Sequence, residues 1–390
     1  RSRGLGDVYK RQTVVTLPAN SMNMGNGGGN VSTNTALGYQ ALNANTTGAQ
    51  NTAIGYNSLV SNTVGIQNVG IGSGTGQNNV TGSYNTWLGM AAGQGSSGSN
   101  SNNTGIGNNA LGNVSTGGSN TAVGNYALLS NTTGSNNTAV GAQSLYNNST
   151  GSPNDAFGYQ ALYSNTTGAG NVALGYRTLY TNSTGSYNTA SGWGALGANT
   201  ASNNTAVGAA ALANNTTGTP NDAFGFQALN SNTTGSYSVA IGYQALSTMT
   251  NQGYATAVGW HAGSTYTGGA ANSEGYGSTF IGYNAGGNVT TGTDSTLVGA
   301  NSGHNISTGV RNIALGGGAL NNTTTGSNNI GVGYNAGANI TTGGTNIYIG
   351  YNSTASGVGV NNELVIAANA STTGKGGATG YINAGGAGGI

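Results

Sequence analysis

The chain has 390 residues, 75 of them Gly, with no Cys and only 3% charged side chains, where an ordinary globular domain has about 25% charged and about 7% Gly. Lack of Cys removes disulfides and zinc–cysteine sites. No run of about 18 apolar residues is present to span a bilayer as a helix, and Val, Ile and Leu recur too regularly for a disordered polar tract.

In chain order, residues 1–12, "RSRGLGDVYKRQ", lack an initiator Met and concentrate charge as no later segment does. They resemble a translated sequencing-adapter scar and are set aside from the fold. Arg1, Arg3, Lys10 and Arg11 against Asp7 lie there, so the formal charge of +1 becomes −2 without them. No basic stripe remains to track a phosphate backbone, and nucleic acid is not expected as a partner. Residues 13–33 form a Gly/Asn-rich lead; its "TVVTLP" is too short for the apolar part of a signal peptide.

Residues 34–354 are a repeat. The phrase T-A-[VIL]-G recurs with its Gly, the anchor of each unit, at 19 positions from Gly38 to Gly350. The spacing is 17 except for one 18, one 16 and one 23. So many Gly and Asn exclude a helical repeat, and each unit reads as two short strands and two turns of an all-β solenoid. The residue before the anchor (−1) is apolar in 18 units and is expected to face inward. The neighbouring Ala at −2, present in 12 units, should then face outward, and an apolar outer face would pack on a second copy of the chain. The third residue after the anchor (+3) is always Ala, Ser or Thr, which indicates a thin interior; +4 is Leu in 12 units and Gly in six. Segments such as "SNTTGS" supply turn chemistry, and stacking would place their Asn and Thr in ladders about 4.8 Å apart.

The position after the anchor (+1) is aromatic in 11 units, Trp193 and Trp260 included. Exposed, such rings would offer faces to sugars; packed together, they form a ladder between coils, which is the favoured reading. The 23-residue unit inserts six residues around Tyr266, Glu274 and Tyr276, and solenoid insertions are a usual place for ligand contact. These five residues are the candidate contacts. Residues 355–390, "SGVGVNNELVIAANASTTGKGGATGYINAGGAGGI" from Ser356 onward, read as a terminal strand and Gly-rich tail leading toward a further domain.

No chemistry stands out. Asp155 and Asp222 share the phrase "PNDAFG", but four coils put them about 19 Å apart, beyond a glycosidase pair; a turn role is expected for both. His261 and His304 occupy different columns with no acidic cluster, so neither a metal site nor a cofactor is expected.

The "NTAVGYQAL"-type units with Gly corners and "NTTG" turns resemble the head repeats of trimeric autotransporter adhesins. That resemblance implies a left-handed parallel β-roll, a homotrimer, and display at a cell surface or on a virion to bind a cell-surface glycan or protein receptor. The unit here is longer than the family's usual one, and no heptad stalk or membrane anchor is recognisable. The ending is similar to the segment before the chaperone domain of bacteriophage tail fibres. Behind this non-enzymatic fibre stand an ice-binding solenoid, which would need an outward T-x-T column where the adjacent Thr of "NTT" face opposite ways, and a glycan-degrading tailspike.

Overall fold

The computed structural model describes residues 24–95, 99–268, 277–367, 372–373 and 380–383. It is an all-β parallel solenoid whose 19 repeat coils each contribute one strand of three or four residues. The chain divides into two compact units, residues 1–140 and 141–390. In the first, seven parallel strands run from Thr35–Leu37 to Thr138–Val140, with Met24–Gly25 antiparallel on Thr35–Leu37. In the second, twelve run from Asn154–Phe157 to Ile347–Ile349, and Leu364–Ala367 and Gly380–Asn383 extend the same parallel ladder. Among the described residues the single helical element is the short 3-10 turn Gly28–Asn30.

Register is exact within each unit: Thr121, Ala122 and Val123 pair with Thr138, Ala139 and Val140. The anchor glycines explain how coils approach so closely. All 19 have φ between +116° and +141°, a region that L side chains rarely adopt. A Cβ on Gly38 would stand 2.5 Å from the carbonyl oxygen of Gly55, the next anchor. Conformation and contact therefore both demand Gly.

The expected orientation of the strand is reversed. Ala at −2 points inward and is fully buried in eleven of the twelve coils that carry it, whereas the −1 residue is never buried; Leu174 is 50% exposed. The cause is volume. Ala at −2, a small residue at +3, Leu at +4 and Asn at −4 together fill the coil, leaving no room for a branched side chain at −2. The second expected strand is likewise replaced by a turn, apart from Ser353–Thr354 paired with Thr372–Thr373. Residues at +2 and +4 take φ near +50°, as in Gln40 (54°) and Leu42 (53°). Extended pairing fails there, yet backbone bonds still pass from coil to coil, Asn57 N–H to Tyr39 C=O at 2.9 Å. A Leu in this region is strained, and burial of all 12 of these side chains offsets the strain.

Six coils carry Gly at +4 instead, and each lies beside an oversized −2 residue. Trp87 is fully buried; a Cβ on Gly93 would lie 2.3 Å from its ring and one on Gly76 2.8 Å. Gly263 and Gly286 flank Phe280 in the same way, Gly303 meets Leu297, and Gly337 meets Tyr348.

Asn at −4 satisfies the buried backbone. Asn120 Oδ1 accepts from Asn137 N–H at 3.0 Å, and its Nδ2 donates to Gly134 C=O at 2.9 Å and to Asn103 Oδ1 at 3.1 Å. The expected Asn ladder is thus present and inward. Thr and Ser of the turns form a second one, Thr63 Oγ1 donating to Val80 C=O at 3.1 Å.

Two outcomes follow in denaturation. Trp87→Ala should cost about 3–5 kcal/mol, whereas Trp87→Phe should cost less than half of that, because it keeps most of the packing and removes an indole N–H that has no partner. Asn120→Ala should cost about 1–3 kcal/mol by depriving the buried Asn137 N–H of this acceptor.

Candidate functional site

Among the described residues no cleft gathers acidic, basic or nucleophilic groups, and the outward columns are the candidate surface. On the strand, −3 and −1 share the outer face. Position −3 is Thr in eleven coils, Val or Ile in six, and Asp in two; none is buried. The −1 column beside it is more than a third exposed in ten coils, Ile71, Leu88, Phe157, Leu174 and Val207 among them, and half-buried in the other nine. The strands therefore present a regular Thr/aliphatic face. It has no charge in the first unit and two in the second, Asp155 and Asp222. These aspartates sit on exposed strand positions, in Asn154–Phe157 and Asn221–Phe224, rather than in turns as expected.

The +1 column forms stacked ladders, as the favoured reading held, although its rings are half-exposed. Tyr39 stacks on Tyr56 at 5.5 Å; Tyr159, Tyr176 and Trp193 follow at 5.6 and 6.1 Å. Phe226, Tyr243, Trp260 and Tyr283 form a longer run at 5.2, 6.2 and 4.9 Å. Interior rings cover one another's faces and expose edges, so a ladder interior offers no face to a sugar. A second column stacks Tyr146, Tyr163 and Tyr180 at 5.1 and 5.3 Å, with the Arg177 guanidinium 5.0 Å from the Tyr180 ring centre. Burial, reinforced by its two tyrosine neighbours, pushes the Tyr163 phenol above its usual range.

The five candidate contacts separate. Trp193 and Trp260 are on the surface, 62% and 43% exposed. Tyr266 is not: it is 1% exposed and meets Phe280 edge-on at 5.2 Å. It belongs to an inward column seven residues after the anchor, whose buried members in other coils are Asn, Val, Ile, Met249 and Thr323. Burial raises its phenol pKa, with a hydrogen bond from Ser278 opposing. Tyr266 is core, and the expectation of ligand contact is withdrawn. Glu274 and Tyr276 lie outside the described residues.

His261 and His304 are not brought together. His261 lies on Trp260 with ring centres 3.7 Å apart; His304 Nδ1 is 3.0 Å from Asn305 Oδ1. No group of three His, Cys, Asp or Glu is placed to hold a metal among the described residues. The buried acid Glu363 takes the Asn column's place in its coil, donating N–H to Asn346 Oδ1 at 2.8 Å and accepting from Tyr348 Oη at 3.2 Å. The Tyr348 phenol is raised well beyond its usual range by burial and by this carboxylate. A shallow cleft near the end of the second unit is lined by Asn322, Asn335, Asn339, Asn352 and Thr354. It holds amides and a hydroxyl, with no acid–base pair.

The chain matches no protein-family model, no curated protein and no solved structure. No helix among the described residues is long and apolar enough to cross a membrane.

Burial lowers the His261 pKa below its ordinary 6.5, so folding favours the neutral ring. Stability from this group is complete above about pH 6.5 and is lost as pH falls toward the folded-state pKa. A thermal melt should show a slightly lower midpoint at pH 5 than at pH 7. His261→Gln, which restores the Gln found at this position in neighbouring coils, should remove that part of the difference.

Proposed function

We propose that the chain is the shaft of a structural, surface-displayed fibre whose copies associate, as a homotrimer, through the Thr/aliphatic strand face. The observation that carries this reading is the exposed −1 column. In the second unit alone, twelve strands make a strip about 58 Å long and about 10 Å wide, of order 500 Å². The largest contiguous apolar patch on a typical monomer is about 300–600 Å² and is often functional; this strip is of that size, and Asp155 and Asp222 are the two charges on its face. The interface rests on Val, Ile, Leu and Phe at −1, not on the Ala column, which is inside. Its tail-fibre or adhesin character, and display outside the cell or on a virion, rest on the likeness of the "NTAVG" units to adhesin heads. The proposal gives the chain no catalytic step.

A second reading is favoured by the same face. Thr at −3 and an aliphatic at −1 form an outward T-x-[VIL] array, with spacings near 4.8 Å between coils and about 6.6 Å along the strand. The outward Thr lies on the strands and not in the "NTT" turns. Away from Asp155 and Asp222 the array is uncharged and rich in methyl groups, a lattice suited to ordering water, which makes ice binding the alternative. The two readings compete, because a face buried between copies is closed to ice.

Light scattering decides between them. The fibre reading expects three times the 38.0 kDa chain mass, and a monomer after Leu174→Lys with Ile281→Lys, which buries charge in the interface. A stable monomer of the unaltered chain would overturn the trimer. Inhibition of ice recrystallisation by that monomer, lost on Thr205→Lys with Thr256→Lys, would establish the alternative.

A further inference from the structure

The +1 aromatic ladder of the second unit is broken once by a single coil. After Tyr159, Tyr176 and Trp193 the next +1 residue is Ala209, and the rings resume at Phe226, Tyr243, Trp260 and Tyr283. The backbone is continuous across the break: Ala210 N–H donates to Trp193 C=O at 2.8 Å and Gln227 N–H to Ala209 C=O at 3.0 Å. Only the ring is missing. Trp193 is parallel to Tyr176 within 3° on one side, and Phe226 stacks on Tyr243 on the far side, 17° from parallel. The free faces of Trp193 and Phe226 therefore confront each other over the Ala209 methyl. The exposure of the two surface tryptophans registers the difference. Trp260, with a ring on each side, is 43% exposed; Trp193, with one, is 62% exposed.

A second ladder is interrupted at the same coil. At +2, amides bond in sequence from coil to coil, Gln160 Nε2 to Gln143 Oε1 and Gln244 Nε2 to Gln227 Oε1, each at 2.7 Å. Gln227 would donate next to the residue at 210, which is Ala. Its oxygen is engaged by Gln244 and its donor faces a coil with no acceptor rung. The +1, +2 and −1 positions of the three coils are Trp193, Ala209, Phe226, Gly194, Ala210, Gln227, Ser191, Val207 and Phe224, all uncharged.

We propose that this broken rung is a binding slot for one neutral pyranose ring of a glycan, held between Trp193 and Phe226 and hydrogen-bonded at a hydroxyl by Gln227. Two coil steps set the walls about 9.6 Å apart. A flat aromatic guest in contact with one wall, at about 3.5 Å, would stand about 6 Å from the other and waste it. A chair sugar is thicker, because axial C–H bonds project from both of its faces. Those C–H bonds are the weakly positive groups that the negative face of an aromatic ring attracts. The wider break between Tyr283 and Tyr334, where Ala300 and Gly317 take the column, is three steps across and cannot be bridged by one ring. The slot deepens the fibre reading without depending on its trimer, since mass and sugar binding are measured separately.

The test is tryptophan fluorescence of the full chain carrying Trp260→Phe. Trp87 is buried, so among the three tryptophans Trp193 then reports on the surface. Titrants are neutral hexose oligosaccharides of the gluco, galacto and N-acetylglucosamine series, with benzyl alcohol as a flat aromatic control. Saturable quenching by one of the sugars is expected. Ala209→Tyr, which completes the ladder and fills the slot, should abolish it, and Gln227→Ala should weaken it by about tenfold. Tyr39→Ala, on a ladder of the other unit, should leave it unchanged. Failure of every sugar to quench, sugar binding that survives Ala209→Tyr, or saturable quenching by benzyl alcohol alone would each overturn the assignment. A normal melt for Ala209→Tyr shows that loss of binding is not loss of fold.

Discussion

Close approach of one backbone coil to the next governs this molecule. At the anchor glycines the carbonyl of one coil occupies the space where a side chain of its neighbour would begin. Parallel strands hydrogen-bond at about 4.8 Å in any case; here the corners are held to the same spacing, so every position lies over its equivalent. The other regularities are consequences. Asn stacks on Asn and bonds backbone groups that water cannot reach, Gln stacks on Gln, and tyrosine rings stack at the ladder spacing. Charge is nearly absent for the same reason, since a charged column would place like charges about 4.8 Å apart along its whole length.

The interior is what makes the molecule unusual as a folded chain. Its one large aliphatic column is the Leu at +4. Ala, Leu, Asn and small residues fill most coils, and the apolar side chains at −1 remain outside. Stability then comes from many modest repeats of one contact set, each coil supported by its neighbours, as expected of quasi-one-dimensional architectures. A hydrophobic column left on the outer face of such a solenoid is the feature that calls for a partner surface, whether protein or ordered water.

The repeat length, the all-β solenoid and the Asn ladders could be read from residues alone, because a 17-residue phrase with Gly corners admits few physical solutions. The direction of the strand could not be read so simply. Alternation says that −1 and −2 face opposite ways and does not say which faces in; hydrophobicity favoured Val, and the thin interior admits Ala. A signal was nevertheless present. Where +4 is Gly, an outsized −2 residue such as Trp87 or Phe280 stands in the same or the next unit, an exchange of volume that only shared burial requires. Tyr266 was misassigned for a related reason: it stands beside an insertion, but its own column is an inward one. The break at Ala209 was visible as a missing aromatic, though its meaning needed the knowledge that the neighbouring rings lie face to face.

Exact repetition carries a hazard, and the oversized core residues answer it. In a chain whose units are nearly interchangeable, a coil could be skipped during folding, its 17 residues looped out, while the next coil docks on the wrong neighbour with all its Asn and Gly contacts intact. Around Trp87 that substitution fails. Without the coil of Gly76, its indole would meet the coil of Leu59, whose side chain occupies the space that glycine leaves open. Phe280 and Tyr348, each with a glycine opposite, number the stack in the same way. The few irregular coils thus act as counting marks along an otherwise degenerate sequence, so that the order of coils is set by fit as well as by connectivity.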